Sequence, residues 1–287
     1  MSDFPLPVRM IGPGSQPEEQ ELDYLPLPHE MNTFRMPDVP ERADAAALRA
    51  SRDLLATFSA AMERWNHVAS TDGPRFDLSG MAADALAVTN QMLGEGEVGI
   101  TIEGRPSFRI QESVFTGIWR VCAFDASGET IGDWLEAAAL PRVVTEAARQ
   151  GALPRIAAPQ TPPGAMNSPA LLVEIDAQMR EPAPSGRAHV INLTLFPLTP
   201  DDHQLLASAL PVGPVAMISR GFGNCRITST GARDVWRVQY FNSMNTLILD
   251  TIEIVAVPEV ALAAAEDLDD SRTRLAELVE WMSESCE

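Results

Sequence analysis

Apolar residues recur at helical spacing between residues 44 and 66, at Leu48, Leu54, Leu55, Phe58, Met62 and Trp65. One side of a 3.6-residue repeat is thereby apolar, which predicts an amphipathic helix, with Asp44 placed to cap its first turn. A second helix is expected over 82–92, ending at the turn signal Gly94-Glu95-Gly96. Short alternating or β-branched runs then predict strands over 98–102, 107–111, 118–124 and 130–135, with Asp125-Ala126-Ser127-Gly128 as a hairpin turn. Pro141 stands where a helix over 142–149 can begin. The remainder of the chain reads in nearly the same order. It predicts a helix over 169–179, a strand over 189–195, a helix over 200–210, and strands over 215–220, 225–229, 235–241 and 246–255. A last helix is expected from Pro258 to about Ser283, with Leu268, Leu275, Leu278, Val279 and Met282 on one side.

That common order extends to individual residues. Trp236-Arg237-Val238 lies 117 residues beyond Trp119-Arg120-Val121. The same offset carries Arg109 to Arg226, Phe124 to Phe241, Ile131 to Ile248, Asp133 to Asp250, Glu136 to Glu253 and Pro141 to Pro258. The expected fold is therefore α+β: a tandem duplication of a unit with an antiparallel sheet covered by helices, in a pseudo-two-fold arrangement. The expected division is a Pro-rich, acidic extended arm (1–43), repeat one (44–150), a linker (151–168), repeat two (169–266) and a C-terminal helical extension (267–287). Residues shared by both copies, such as Trp119 and Trp236, are read as structural. Residues peculiar to one copy are where function is sought.

Composition narrows the possible partners. The net charge is −19 over 287 residues, and every cation apart from histidine is arginine. Such a chain repels phosphate backbones and anionic membranes, so neither nucleic acid nor membrane insertion is expected. Three cysteines (Cys122, Cys225, Cys286) without close spacing suit a reducing cytoplasm rather than a disulfide framework. No apolar run reaches the roughly 20 residues of a membrane-spanning helix.

Several catalytic patterns are weighed and set aside. His29, His67, His189 and His203 lie at no metal-ligand spacing, so no metal or other cofactor is expected. Gly221-Phe222-Gly223 has the look of a phosphate loop, but a strand follows it where a helix N-terminus is needed, and a tight turn is expected instead. The repeated acids Asp133/Asp250 and Glu136/Glu253 are read as partners of Arg109/Arg226 or Arg120/Arg237, not as a general acid and base. The chain is accordingly read as a non-enzyme. Two segments depart from the repeat. In Arg220-Gly221-Phe222-Gly223-Asn224-Cys225-Arg226, Asn-Cys replaces Ser107-Phe108 of copy one. There Cys225 is read either as a thiol with a pKa lowered by two arginines or as a small buried residue. In Tyr240-Phe241-Asn242-Ser243-Met244-Asn245, larger groups and amides replace an ordinary turn, which suits protein recognition. Core packing of Tyr240 is the other reading.

These segments also carry a resemblance. The strings 219–227 and 235–244 are similar to the signature of the HupH/HyaF family. So are 31–37 (Met-Asn-Thr-Phe-Arg-Met-Pro), 112–121 (Glu-Ser-Val-Phe-Thr-Gly-Ile-Trp-Arg-Val) and the run from 247 to 267. The resemblance implies a cytoplasmic accessory protein for maturation of [NiFe] uptake hydrogenases. It would bind the small-subunit precursor, and other hydrogenase accessory proteins, before twin-arginine export. Arg220, Gly221, Phe222, Gly223, Asn224, Cys225, Arg226, Tyr240, Asn242 and Met244 are the expected partner-binding residues. The alternative is a redox or iron–sulfur delivery protein working through Cys225.

Overall fold

The computed structural model describes residues 44–70, 72–156, 160–180, 187–221 and 223–284. The expected N-terminal arm, Phe222 and Cys286 therefore lie outside the described residues. The described chain is α+β, with ten strands in one sheet. They are β1 (Arg75–Asp77), β2 (Val98–Ile102), β3 (Ser107–Glu112), β4 (Ile118–Phe124), β5 (Thr130–Ala137), β6 (His189–Asn192), β7 (Val212–Ser219), β8 (Asn224–Thr230), β9 (Val235–Phe241) and β10 (Leu247–Ile254). Every pairing is antiparallel, and the order is β1-β5-β4-β3-β2-β7-β8-β9-β10-β6. Six helices accompany the sheet: α1 (Ala45–Arg64), α2 (Ala83–Leu93), α3 (Arg142–Arg149), α4 (Ser168–Arg180), α5 (Pro200–Ala209) and α6 (Ala265–Glu284).

The junction of the two halves is the β2–β7 ladder. Ile100 faces Met217, Val98 faces Ser219, and Ile102 faces Val215. Two backbone bonds extend it, from Glu103 N–H to Pro214 O (2.8 Å) and from Arg220 N–H to Glu97 O (3.2 Å). Strand alternation then sorts side chains to two faces. Trp119, Val121, Trp236, Val238, Ile100, Met217 and Ile227 form one buried cluster with Val144 and Ala148 of α3. On the opposite face, α1, α2 and α6 pack over Ile118 and Leu135, with Leu55, Phe58, Met92 and Leu275 buried together. Helices α4 and α5 do the same over Val235, Ile252 and Ile254, through Leu171, Ile175 and Leu205.

Three local expectations need correction, and one strand lies where none was expected. Asp44 makes no side-chain capping bond, and only its carbonyl is used, accepting from Leu48 N–H (3.0 Å). The strand expected over 189–195 stops at Asn192, whose Oδ1 accepts from Thr194 N–H (3.0 Å) and turns 193–195 into a short 3₁₀ segment. The helix expected from Pro258 is only a 3₁₀ turn over Glu259–Ala261. Beyond it, Ala263 N–H donates to Ala139 O (3.0 Å) as the chain crosses to the first half, and α6 starts only at Ala265. Strand β1 was not expected, because three residues are too few to show alternation.

Candidate interaction site

The loop after β7 and the β9–β10 hairpin tip meet because β8 lies between β7 and β9. Across the β8–β9 ladder, Cys225 faces Tyr240, Asn224 faces Phe241, and Arg226 faces Gln239. The tip is organised by Asn242, whose Oδ1 accepts from Met244 N–H and Thr246 N–H (both 2.9 Å). Asn245 sits at φ 58° and Gly223 at φ 90°, conformations that Asn and Gly tolerate far better than branched residues. The Asn224 amide lies 3.5 Å from Asn245 Oδ1 and links loop to tip. Met244 is 79% exposed at the apex. Gly221 packs so closely on the Glu97 carboxylate that a side chain there would collide with it.

Alternation divides the expected residues between the two faces. Cys225 belongs to the buried Trp119/Trp236 cluster, Tyr240 packs against that cluster, and Cys225 is 1% exposed. Burial pushes the Cys225 thiol up to about 11 and the Tyr240 hydroxyl up to about 12. Of the two readings of Cys225, the small buried residue is the one the structure supports, and the thiol with a lowered pKa is not. Arg226, its sequence neighbour, belongs to the other face, and the charge that acts on the thiol is the Glu253 carboxylate, which raises it further. Cys122 is half-buried 3.6 Å from Asp133 Oδ1, and burial raises that thiol as well. Thiolate chemistry needs the opposite environment. Among the described residues, no group of three or more His, Cys, Asp or Glu could hold a metal ion.

The repeated aspartates find arginines expected of them, and the repeated glutamates do not. Asp133 takes both arms of Arg120, Nε at 3.1 Å and Nη2 at 2.7 Å, and Asp250 takes Arg237 at 3.0 and 2.6 Å. Such two-pronged pairs fix the guanidinium plane as well as its position. Glu136 accepts instead from the Trp134 indole (2.8 Å), and Glu253 from Thr251 Oγ1 (3.4 Å). Trp119 and Trp236 donate their indole N–H groups to Ala138 O (2.8 Å) and Ala256 O (3.3 Å). Arg109 and Arg226 are placed differently from these pairs. Each lies over an aromatic ring, Phe124 at 5.5 Å and Phe241 at 5.2 Å, on the half-exposed face of the sheet. Their 117-residue spacing was the signal in the sequence, but reading all shared residues as structural concealed it.

Fold and site together define a class, a broad antiparallel sheet with helical covers that presents stacked arginines and an ordered hairpin tip. The conserved region of the HupH hydrogenase expression protein matches this chain over residues 48–152 and again over 165–282. The chain belongs to that family. It is 42% identical over 283 residues to the hydrogenase expression/formation protein HoxQ of Cupriavidus necator, covering 98% of this chain and 99% of that one. It is 43% identical over 281 residues to the hydrogenase expression/formation protein HupH of Rhodobacter capsulatus, covering 98% of each. It is 33% identical over 286 residues to the hydrogenase-1 operon protein HyaF of Escherichia coli, covering 96% of each.

Proposed function

We propose that the protein is a cytoplasmic, non-catalytic accessory protein of hydrogenase formation, binding the precursor of the [NiFe] hydrogenase small subunit before twin-arginine export. The observation that carries this reading is the near full-length similarity to hydrogenase expression/formation proteins. The net charge of −19 supports it, since a leader bearing an arginine pair is drawn to an acidic surface, chiefly through association rate and at low salt. The proposed contact is the 220–226 loop with the hairpin tip, led by Met244, Asn242 and Asn224. Exposed methionine beside amides suits an adaptable recognition surface. Cys225 and Tyr240 support that surface from beneath.

We infer too that the chain is a tandem duplication with halves in a pseudo-two-fold arrangement. Its supports are the double match to one conserved region, a strand order that is the same from either end, and the Ile100–Met217 register.

The test is capture of the tagged full-length protein from hydrogenase-expressing cells, with mass spectrometry and iron analysis of what is retained. Leader-bearing small subunit is expected, and Met244→Glu should reduce its recovery several-fold while the melting temperature holds. Iron retained with the protein and no precursor would overturn the reading, as would full recovery with Met244→Glu and Asn242→Ala combined.

A further inference from the structure

The half-exposed face at the centre of the sheet has a layout that the hairpin-tip reading does not use. Pairing register defines two rows across the strands. One runs Arg109–Thr101–Ala216–Thr228–Arg237, and the other Arg120–Gln111–Gly99–Ile218–Arg226. Each stretch runs from arginine to arginine with no charged residue between, and pairing carries the first on through Cys122 to Asp133 and the second on through Gln239 to Asp250. Four strand spacings separate the ends, about 19 Å at roughly 4.8 Å each. The six residues between are all half-exposed, and they alternate with buried neighbours such as Ile100, Ile110, Met217 and Ile227. Gly99 and Ala216 keep this floor low.

Two of the four guanidinium planes are fixed by two-pronged carboxylate contacts, and the other two guanidinium groups lie over aromatic rings. Asp133 and Asp250 hold Arg120 and Arg237, while the Phe124 and Phe241 rings lie under Arg109 and Arg226. Each row also ends beside a helical cover. A cavity of about 210 Å³ opens between Arg120, Gln111 and the end of α2 at Leu93 and Gly94. A smaller one, about 50 Å³, lies between Arg237, Thr230 and the His203 and Leu206 side of α5.

We propose that this trough is a docking site for an extended acidic segment of a partner polypeptide, its carboxylates directed to Arg109 and Arg226. The argument is charge complementarity. In a chain of net charge −19, the rows carry positive charge around an uncharged floor. The acidity of the remaining surface discourages the same ligand from binding elsewhere. Arg109 and Arg226 stand three strand spacings apart, about 14 Å across the strands and two residues offset along them, within the about 20 Å that six extended residues span. The site is separate from the hairpin tip and stands whether or not the small subunit is the tip's partner.

The test uses the full chain and a fluorescein-labelled hexaglutamate peptide, followed by fluorescence anisotropy, with hexaserine and hexa-arginine peptides alongside. Saturable hexaglutamate binding is expected, weakening as salt rises to about 0.5 M. Arg109→Gln and Thr101→Asp should each weaken it about tenfold or more, with Val173→Ser on the exposed side of α4 as an unaffected comparison. Melting curves for both variants confirm that the sheet is intact. The proposal is overturned if hexaglutamate fails to saturate at millimolar concentration, if hexaserine binds as well, or if both trough variants bind as the parent does. Concentration-dependent dimerisation abolished by Arg109→Gln would also overturn it, in favour of a second copy in the trough.

Discussion

The two sides of the β2–β7 junction secure their helical covers by different means. In the first half, α1 and α2 start without side-chain caps at Asp44 or Ala82. Their stability comes from apolar contact, and α6 is recruited from the far end of the chain to add Leu275 and Met282. In the second half, α4 and α5 are tied together by one fully buried carboxylate. Asp202 Oδ1 accepts from the N–H groups of Met166, Asn167 and Ser168 and from Ser168 Oγ, and its Oδ2 accepts from Thr199. The residue 117 positions earlier is Ala85, an ordinary core alanine. A cover can thus be held by added apolar area or by a satisfied polar knot, and the two respond to different perturbations.

The largest effect is expected where the knot is cut. Burial would push the Asp202 carboxyl up, but the hydrogen bonds from Ser168, Thr199 and Asn167 outweigh it and hold the group far below the usual carboxylate range. Asp202→Ala leaves buried donors unpaired and should cost about 3–5 kcal/mol in denaturant titration. Because the folded pKa is depressed, the contribution is present at neutral pH and is lost only as pH falls through the carboxylate range. A loss under about 1 kcal/mol would show that the covers do not differ in this way. Next is the apolar cover. Leu275→Ala on α6 should cost about 2–4 kcal/mol and, unlike Asp202→Ala, with little dependence on acid pH.

A second contrast lies in the strands, where Glu112 of the first half stands at the position of Ser229 in the second. Ser229 Oγ bonds to Val215 N–H (3.0 Å), while the buried Glu112 carboxylate accepts from Gly117 N–H (2.9 Å). Burial, together with Glu97 and Asp267, raises Glu112 from 4.5 to about 7. The folded state therefore holds this proton more tightly than the unfolded chain. The resulting stability is complete below about pH 4.5 and is lost as pH rises through 7, amounting to at most about 3 kcal/mol. Melting temperature should fall between pH 5 and 8, and Glu112→Gln should flatten that fall. An unchanged slope in the variant would contradict the assignment.

The smallest predicted effect concerns what the halves share. Arg120→Lys and Arg237→Lys should each cost about 0.5–1.5 kcal/mol, by equal amounts, because a lysine cannot reproduce the two-pronged contact of these half-exposed pairs. A clear inequality between the two would mark one pair as carrying something beyond the fold.

Much of this scaffold was legible in the chain. The strands over 98–102, 118–124 and 235–241 and helix α3 fall where alternation and spacing put them. The Asp133–Arg120 and Asp250–Arg237 pairs were among the partnerships that the 117-residue offset suggested. Two of the readings that did not hold share one cause. The lowered-pKa reading of Cys225 rested on arginines adjacent in sequence, yet adjacent strand residues point to opposite faces. The single helix expected from Pro258 ignored the bond that carries Ala263 to Ala139 in the other half.

Sequence alone determined which elements form and which residues recur, because periodicity and local hydrogen-bonding chemistry act over a few neighbours at a time. It also set the charge and marked the hairpin tip as different from its counterpart. Only the tertiary structure decided that the halves share one sheet through Ile100 and Met217, that α6 crosses to cover α1, and that four arginines end two rows around an uncharged floor. Register and side-chain facing come from pairing partners far apart in the chain, and no local pattern contains them.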